Sequence, residues 1–188
     1  NLHYTNALCV LWKIGVIKLE KLDRTDLVEF LNTSPITDKS TTYNWAIVGK
    51  GITDKSTDYN ANVSDEHWII NKNANKDVDS YALSSGVEQT CYKGDEVFDF
   101  IDEIKYRLST GAKAVTQYLE VFKYRVDEST STPTYDARLW DVAISIESDG
   151  GAGGEGVKIK YNVNYKGDPT FGKVTFTKGK PVFTPEVS

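Results

Sequence analysis

Several residue types on which many enzymes and small secreted proteins depend are scarce in this chain. Its 188 residues include no Met, two Cys (Cys9 and Cys91) and two His (His3 and His67). Two cysteines are too few for a disulfide scaffold or a cysteine-rich zinc site. Two histidines leave little for metal binding or acid–base chemistry. The composition therefore excludes many classes of enzyme and predicts no cofactor.

The chain also lacks a long apolar run and an excess of positive charge. Its most apolar stretch, residues 7–12, is much shorter than the ~20 residues of a membrane-spanning helix, so no membrane partner is expected. The formal net charge is −5, which argues against a basic nucleic-acid binder. Residues 157–188 alone carry six basic and two acidic residues. This basic end could bind a polyanion, meet an acidic region of a neighbouring copy, or be a solvated tail.

Aromatic and β-branched residues are abundant, and their spacing indicates strands. Apolar residues alternate with polar ones over 157–166 and over 138–148, and the glycine-rich connection 149–156 predicts a hairpin between these strands. That connection lacks the following helix and the Lys-Ser/Thr pair of a phosphate-binding P-loop. Residues 115–126 predict a partner strand for 138–148. The other strand candidates are short and cover residues 42–48, 67–71, 78–83, 87–92, 173–177 and 181–184.

One helix is predicted at about residues 96–109, where apolar residues recur at helical spacing. Asp95 is a suitable N-cap, and Gly111 is the expected stop after the last turn. One amphipathic helix among about eight strands predicts a mainly β fold, either a small β-sandwich or a curled antiparallel sheet with the helix packed on it.

Carboxylates are the most numerous candidates for chemistry, but none lies in a recognisable catalytic pattern. The chain has no nucleophile elbow, HExxH or dinucleotide fingerprint. Glu29 is interpreted as an ordinary surface charge, and Cys91 as a buried strand thiol. Two alternatives stay open: a carbohydrate- or cell-wall-binding β-sandwich module with an aromatic platform, and a glycan hydrolase with paired carboxylates.

Three segments together carry a family resemblance. Residues 43–53 read YNWAIVGKGIT, residues 91–102 read CYKGDEVFDFID, and residues 161–171 read YNVNYKGDPTF. In this order and spacing they resemble the major tail proteins, or tail tube proteins, of long-tailed bacteriophages and prophages of Gram-positive bacteria. The resemblance extends from about residue 21 to residue 188. Residues 1–20 lie outside it and form an N-terminal segment of uncertain status.

This resemblance implies a fold, an assembly and a location. It implies a tail-tube β domain at 21–176, followed by a C-terminal arm at 177–188. The subunit's strands would join an inner barrel in hexameric rings, and stacked rings would form a hollow conduit for DNA. The expected partners are copies of the chain itself, the tape measure, terminator and distal tail proteins, and DNA that passes without specific binding. The protein would be a non-enzymatic part of the virion, made in the host cytoplasm.

The resemblance and the charge pattern also predict three functional regions. A long polar loop is expected to contact the next ring through Asp58, Asn60, Asn62, Asp65, Asn73, Asn75 and Asp79. The lumen is expected to be acidic or neutral, because lysines facing inward would hold DNA phosphates; its candidates are Glu88, Thr90, Asp141, Ser145 and Glu147. The polar side of 157–166 is basic and is expected to point away from DNA. The inter-subunit arm is expected to use Phe176, Lys178, Lys180, Val182 and Phe183.

Overall fold

The computed structural model describes residues 19–34, 43–129 and 131–186. The predicted N-terminal segment 1–20 therefore lies outside the described residues, except for Leu19 and Glu20. The described strands are β1 (Leu27–Asn32), β2 (Trp45–Ile47), β3 (Ala61–Glu66), β4 (Asn75–Tyr81), β5 (Ser84–Thr90), β6 (Val115–Asp127), β7 (Thr134–Gly150), β8 (Lys158–Thr177) and β9 (Lys180–Pro185). The helix is α1 (Glu96–Tyr106), and short 3-10 turns lie at Arg24–Asp26 and Gly111–Ala114.

The main sheet is antiparallel and has the strand order β2-β1-β6-β7-β8-β5, with β9 also paired to β8. It curls until it is nearly closed as a barrel. β3 and β4 form a separate two-stranded sheet. The predicted fold class, mainly β with one helix and a curled antiparallel sheet, is confirmed.

The longest pairing in the sheet is the β7–β8 hairpin. Its turn lies in the glycine-rich segment from which the hairpin was predicted. β8 runs for 20 residues, well past the predicted end at residue 166. Gly167 and Pro169 are residue types that usually interrupt a strand. In the fold these residues form a bulge, because Leu139 lies opposite Thr170 whereas Asp141 lies opposite Lys166.

Apolar side chains are buried on both faces of the sheet. One cluster packs α1 against the sheet and contains Leu31, Ala46, Val87, Val97, Ile101, Ile104, Ala114, Tyr118, Trp140, Val142, Ile144, Ile159, Tyr161 and Val163. The second cluster lies on the other face and contains Phe30, Trp45, Leu119, Val121, Ala137 and Val174. Both clusters draw on β1, a strand that the sequence patterns did not predict.

The helix begins as predicted and ends earlier. The Asp95 side chain accepts a hydrogen bond from the Phe98 N–H at 3.1 Å, which satisfies a free donor of the first turn. The helix ends at Tyr106 rather than near residue 109, because Leu108 takes a left-handed conformation with φ 49°. Leu108, and not the predicted Gly111, is therefore the left-handed residue that ends the helix.

Candidate functional surfaces

The predicted lumen residues lie together on one side of the sheet. In the register, Glu88 lies opposite Lys160 and Thr90 opposite Lys158. Ser145 lies opposite Asn162. Directly opposed residues of adjacent strands point to the same side of a sheet. We call this surface the polar face; it comprises Glu88, Thr90, Asp141, Ser145, Glu147, Lys158, Lys160, Asn162, Asn164 and Lys166.

The expectations that these residues line the lumen and that the basic side of residues 157–166 points away from DNA cannot both hold. Asp141 lies opposite Lys166 in the register, and the Asn162 amide donates to Glu147 at 2.5 Å. Acidic and basic residues therefore share the polar face. Alternation along each strand was predicted correctly, but the strands pair so that the two polar sides coincide.

Glu88 is the most strongly paired carboxylate of the polar face. Its two oxygens accept from Lys158 at 2.7 Å and from Lys160 at 2.9 Å. The hydrogen bond from Lys158, followed by the one from Lys160, lowers the pKa of Glu88 to about 2. The same pairing raises the pKa of Lys158. Both partners are thus charged at neutral pH and neutralise one another in part.

Two glutamates, one on β1 and one on β6, lie buried on the side of the sheet opposite the polar face. Glu29 lies opposite Glu120 in the register, and both are at most 3% exposed. Glu29 accepts from Lys55 at 2.6 Å and from Arg24 at 2.7 Å. The interpretation of Glu29 as a surface charge is wrong, because the segment after β2 runs along β5, with bridges Lys55↔Val87 and Asp58↔Ser84, and carries Lys55 into the interior, where Lys55 is 3% exposed.

Glu120 has a different set of partners. It accepts from the Trp140 indole N–H at 2.9 Å, from Arg138 at 3.0 Å and from the Tyr165 hydroxyl at 3.1 Å. Burial raises the pKa of Tyr165 and of Tyr118, which packs nearby. Each buried carboxylate is therefore matched by at least one cation, as burial of charge requires. The one feature of the sequence that could have indicated this burial was the position of Glu29 within a short run of apolar residues.

The predicted ring-stacking loop is a β-hairpin rather than a loop. Asn62 and Asp65 lie on β3, Asn75 and Asp79 lie on β4, and Asn73 lies in the turn between them. Asp58 forms a bridge with Ser84 and Asn60 donates to the Ala82 carbonyl at 3.0 Å, which ties the hairpin base to the start of β5. The predicted strand at 67–71 is wrong, because this segment forms part of the connection between the two strands.

The hairpin combines polar strands with an apolar tip. Trp68, Ile69 and Ile70 are respectively 55%, 104% and 81% exposed. Polar contacts stabilise the strands, including Lys76–Asp65 at 2.9 Å and a bond from the Ser64 hydroxyl to Asp79 at 3.0 Å. Among the described residues, neither strand pairs with the main sheet. A projecting two-stranded ribbon with an exposed apolar tip is suited to contact another chain.

The predicted C-terminal hairpin is confirmed, but its second strand is not a detached arm. β9 pairs with β8 of its own chain from Gly172↔Pro185 to Thr177↔Lys180. The turn contains Lys178 and Gly179, both with positive φ. Lys180 and Val182 lie on β9 itself. Phe176 and Phe183 pack against the second apolar cluster. Truncation after Thr177 would therefore remove part of the core, and contact of β9 with another copy stays a prediction.

The described part of the chain offers no metal centre and no membrane-spanning helix. None of its His, Cys, Asp and Glu residues form a group of three or more that could hold a metal ion. No described helix is long and apolar enough to cross a membrane. Cys91 follows β5 and is only partly buried; burial raises the pKa of its thiol.

Comparison with known proteins shows the fold. No protein-family model matches the chain, and no curated protein matches it either. Among solved structures, the chain is similar to one from the SPP1 tail tube, with 15% identity and a TM-score of 0.58, covering 85% of this chain and 82% of that one. It is also similar to one from the tail of an empty GTA particle with C6 symmetry, with 12% identity and a TM-score of 0.54, covering 80% of this chain and 98% of that one. The architecture is thus of the phage tail-tube type.

Proposed function

We propose that this chain is a structural subunit of a bacteriophage-type tail tube that assembles with copies of itself. Two solved tail structures share its fold over at least 80% of its length. The geometry adds a second argument, because the chain presents surfaces that a solitary sheet protein usually protects. Those surfaces are the hairpin formed by β3 and β4 and an open edge of β7.

The hairpin is the observation that carries the proposal. Its strands project from the sheet, its tip exposes three large apolar residues, and a two-stranded ribbon is only marginally stable alone. Burial of these residues in a contact with another subunit would stabilise both the ribbon and the assembly. We therefore assign the hairpin, rather than a loop, to contact between successive rings.

The open edge of β7 supports lateral assembly. β6 begins at Val115, which lies opposite Ala143. Residues 144–150 of β7 therefore pair only with β8 among the described residues. A groove lined by Ile104, Leu108 and Ile146 runs beside this edge. An exposed strand edge next to an apolar groove favours pairing with another chain.

The full proposal has several parts. Six subunits form a ring, rings stack into a tube, and the polar face lines a lumen through which DNA passes during ejection. The tape measure, terminator and distal tail proteins are the other partners, and the protein resides in the virion. It has no catalytic role.

Electron microscopy of the concentrated full chain tests assembly directly. We expect rings or tubes for the natural sequence. A shortened variant replaces residues 66–75 with Asn-Gly, which joins the register partners Asp65 and Lys76 by a two-residue hairpin turn. This variant should stay folded, because the hairpin lies outside both apolar clusters, but it should not form tubes.

A matched variant separates the tip from hairpin length. Trp68→Ser, Ile69→Ser and Ile70→Ser together keep the hairpin at full length and remove its apolar surface. Tube formation should fall with this variant also. Circular dichroism and thermal unfolding verify that each variant is folded. A natural chain that stays monomeric, or a shortened variant that forms normal tubes, would contradict the proposal.

A further inference from the structure

The polar face is charge-balanced although its β8 strand is basic. It carries three acidic residues, Glu88, Asp141 and Glu147, and three lysines, Lys158, Lys160 and Lys166. The balance is uneven in space, however, because Lys158 and Lys160 lie next to each other on the same side of β8. These two lysines form the densest positive charge on this face.

Glu88 is the acidic residue that reaches both of these lysines. It lies directly opposite Lys160 and diagonally from Lys158, and each of its oxygens takes one ammonium group. Glu147 is instead engaged by an amide donor, and Asp141 lies opposite Lys166 at the far end of the face. Among the described residues, no other carboxylate lies within salt-bridge distance of Lys158 or Lys160.

We propose that Glu88 competes with DNA phosphates for Lys158 and Lys160 and thereby keeps the polar face from binding a passing duplex. A phosphate and a carboxylate offer a lysine the same kind of contact. DNA carries one negative charge per about 1.7 Å of its axis, so free lysines repeated on every subunit would hold it along the whole tube. The location of this face in a lumen rests on the proposed function, whereas the competition itself is a property of the isolated subunit.

The expected size of the effect follows from counterion release. Two lysines share the one negative charge of Glu88, so removal of Glu88 frees about one additional lysine for phosphate. Each phosphate contact changes the slope of log K against log salt by about 0.9, which corresponds to roughly tenfold in affinity at about 50 mM salt. Exposed ion pairs are weak individually, so the change is best measured at low ionic strength.

The test compares DNA binding by the natural subunit and by Glu88→Gln. Fluorescence anisotropy with a labelled duplex of about 20 base pairs, at several salt concentrations, measures affinity and slope. We expect Glu88→Gln to bind about tenfold more tightly at about 50 mM salt, with a slope steeper by about 0.9. Asp168→Asn is the matched control, because it removes one exposed negative charge from β8 outside the polar face.

A triple variant verifies the mechanism. Lys158→Gln and Lys160→Gln in the Glu88→Gln background should lower the affinity to the natural level or below it, because the natural face already leaves about one lysine free. The inference is wrong if Glu88→Gln and Asp168→Asn increase DNA affinity equally, or if neither changes it. Microscopy of the natural chain and of Glu88→Gln gives a separate result. Absence of tubes from the natural chain would refute the proposed function, whereas normal tubes from both chains with unchanged DNA binding by Glu88→Gln would refute only the role of Glu88.

Discussion

Lys55→Met should destabilise the fold strongly, because it leaves the buried Glu29 carboxylate without its internal partner. Lys55 and Glu29 are 3% and 2% exposed, so neither charge is hydrated by bulk water. Loss of one partner from a buried pair costs about 3–5 kcal/mol. Arg24 still contacts Glu29, but it is 54% exposed. We therefore expect about 3 kcal/mol, the low end of that range.

Urea unfolding, followed by tryptophan fluorescence, measures this loss. Trp45 and Trp140 are buried and should change their emission when the sheet opens. With a urea dependence of about 2 kcal/mol per molar, the midpoint should fall by roughly 1.5 M. Such a loss is a large part of the 5–15 kcal/mol that is typical of a folded domain.

Two controls distinguish the effect of an unpaired buried charge from the effect of simply removing a lysine. Lys72→Met changes an exposed lysine in the connection between β3 and β4 and should leave the midpoint nearly unchanged. The double variant Lys55→Met with Glu29→Met removes both charges and should recover most of the stability, because apolar replacement of a buried pair is often neutral. Equal midpoints for Lys55→Met and Lys72→Met would refute the reasoning.

Three further predictions concern a thiol, a glycine and a carboxylate. In a Cys9→Ser chain, Cys91 should be alkylated more slowly at pH 8 than after unfolding in urea, because burial raises its pKa and less thiolate is present; equal rates would refute this. Gly172→Ala should cost about 3 kcal/mol, since its Cβ would lie 2.4 Å from a β9 carbonyl oxygen, whereas Gly153→Ala meets open space and should change the urea midpoint little. The pKa of Glu88 is lowered to about 2, so its pairing is complete above its ordinary pKa of 4.5 and is lost only as pH falls toward 2; two-dimensional NMR of the side-chain carboxyl should show a midpoint near 2, and one near 4.5 would contradict the pairing.

Strand periodicity predicted which residues of one strand share a side, but not which sides of different strands coincide. Residues 138–148 and 157–166 alternate as expected, with Val142, Ile144, Ile159, Tyr161 and Val163 buried. The relation between the two polar sides depends on register, and a shift of one residue exchanges the faces of a strand. Bulges at 139/141 and 146/148 alter this register. Gly167 and Pro169 indicate an irregularity opposite 139/141, but nothing in the alternation of either strand indicates the bulge at 146/148.

The buried ion pairs were beyond prediction for a different reason. A carboxylate is normally solvated unless a cation lies beside it. Lys55 is 26 residues from Glu29 along the chain, and it reaches Glu29 only because the segment that carries it pairs with β5 through Lys55↔Val87 and Asp58↔Ser84. The Glu120 partners come from β7 and β8. Such contacts depend on the complete fold. Local sequence patterns could show at most that a carboxylate lies in an apolar run, and not which cation pairs with it.

The hairpin shows how a polar sequence can be mistaken for a loop. Strand patterns are strongest where one side is buried, because apolar residues then recur at every second position. β3 and β4 have no residue in either apolar cluster, so their Asn- and Asp-rich sequence carries little of this pattern, and only the end of β4 falls within the predicted strand 78–83. Their order depends on backbone pairing, on Lys76–Asp65 and on ring contact between Tyr59 and Tyr81 at the base. These contacts are few for a two-stranded ribbon, and the exposed tip adds little more than a hydrogen bond from the Trp68 indole to Glu66 at 3.2 Å. Under the proposed function, the neighbouring ring supplies the missing apolar contact, so the segment with the weakest strand signal is the one whose structure depends most on assembly.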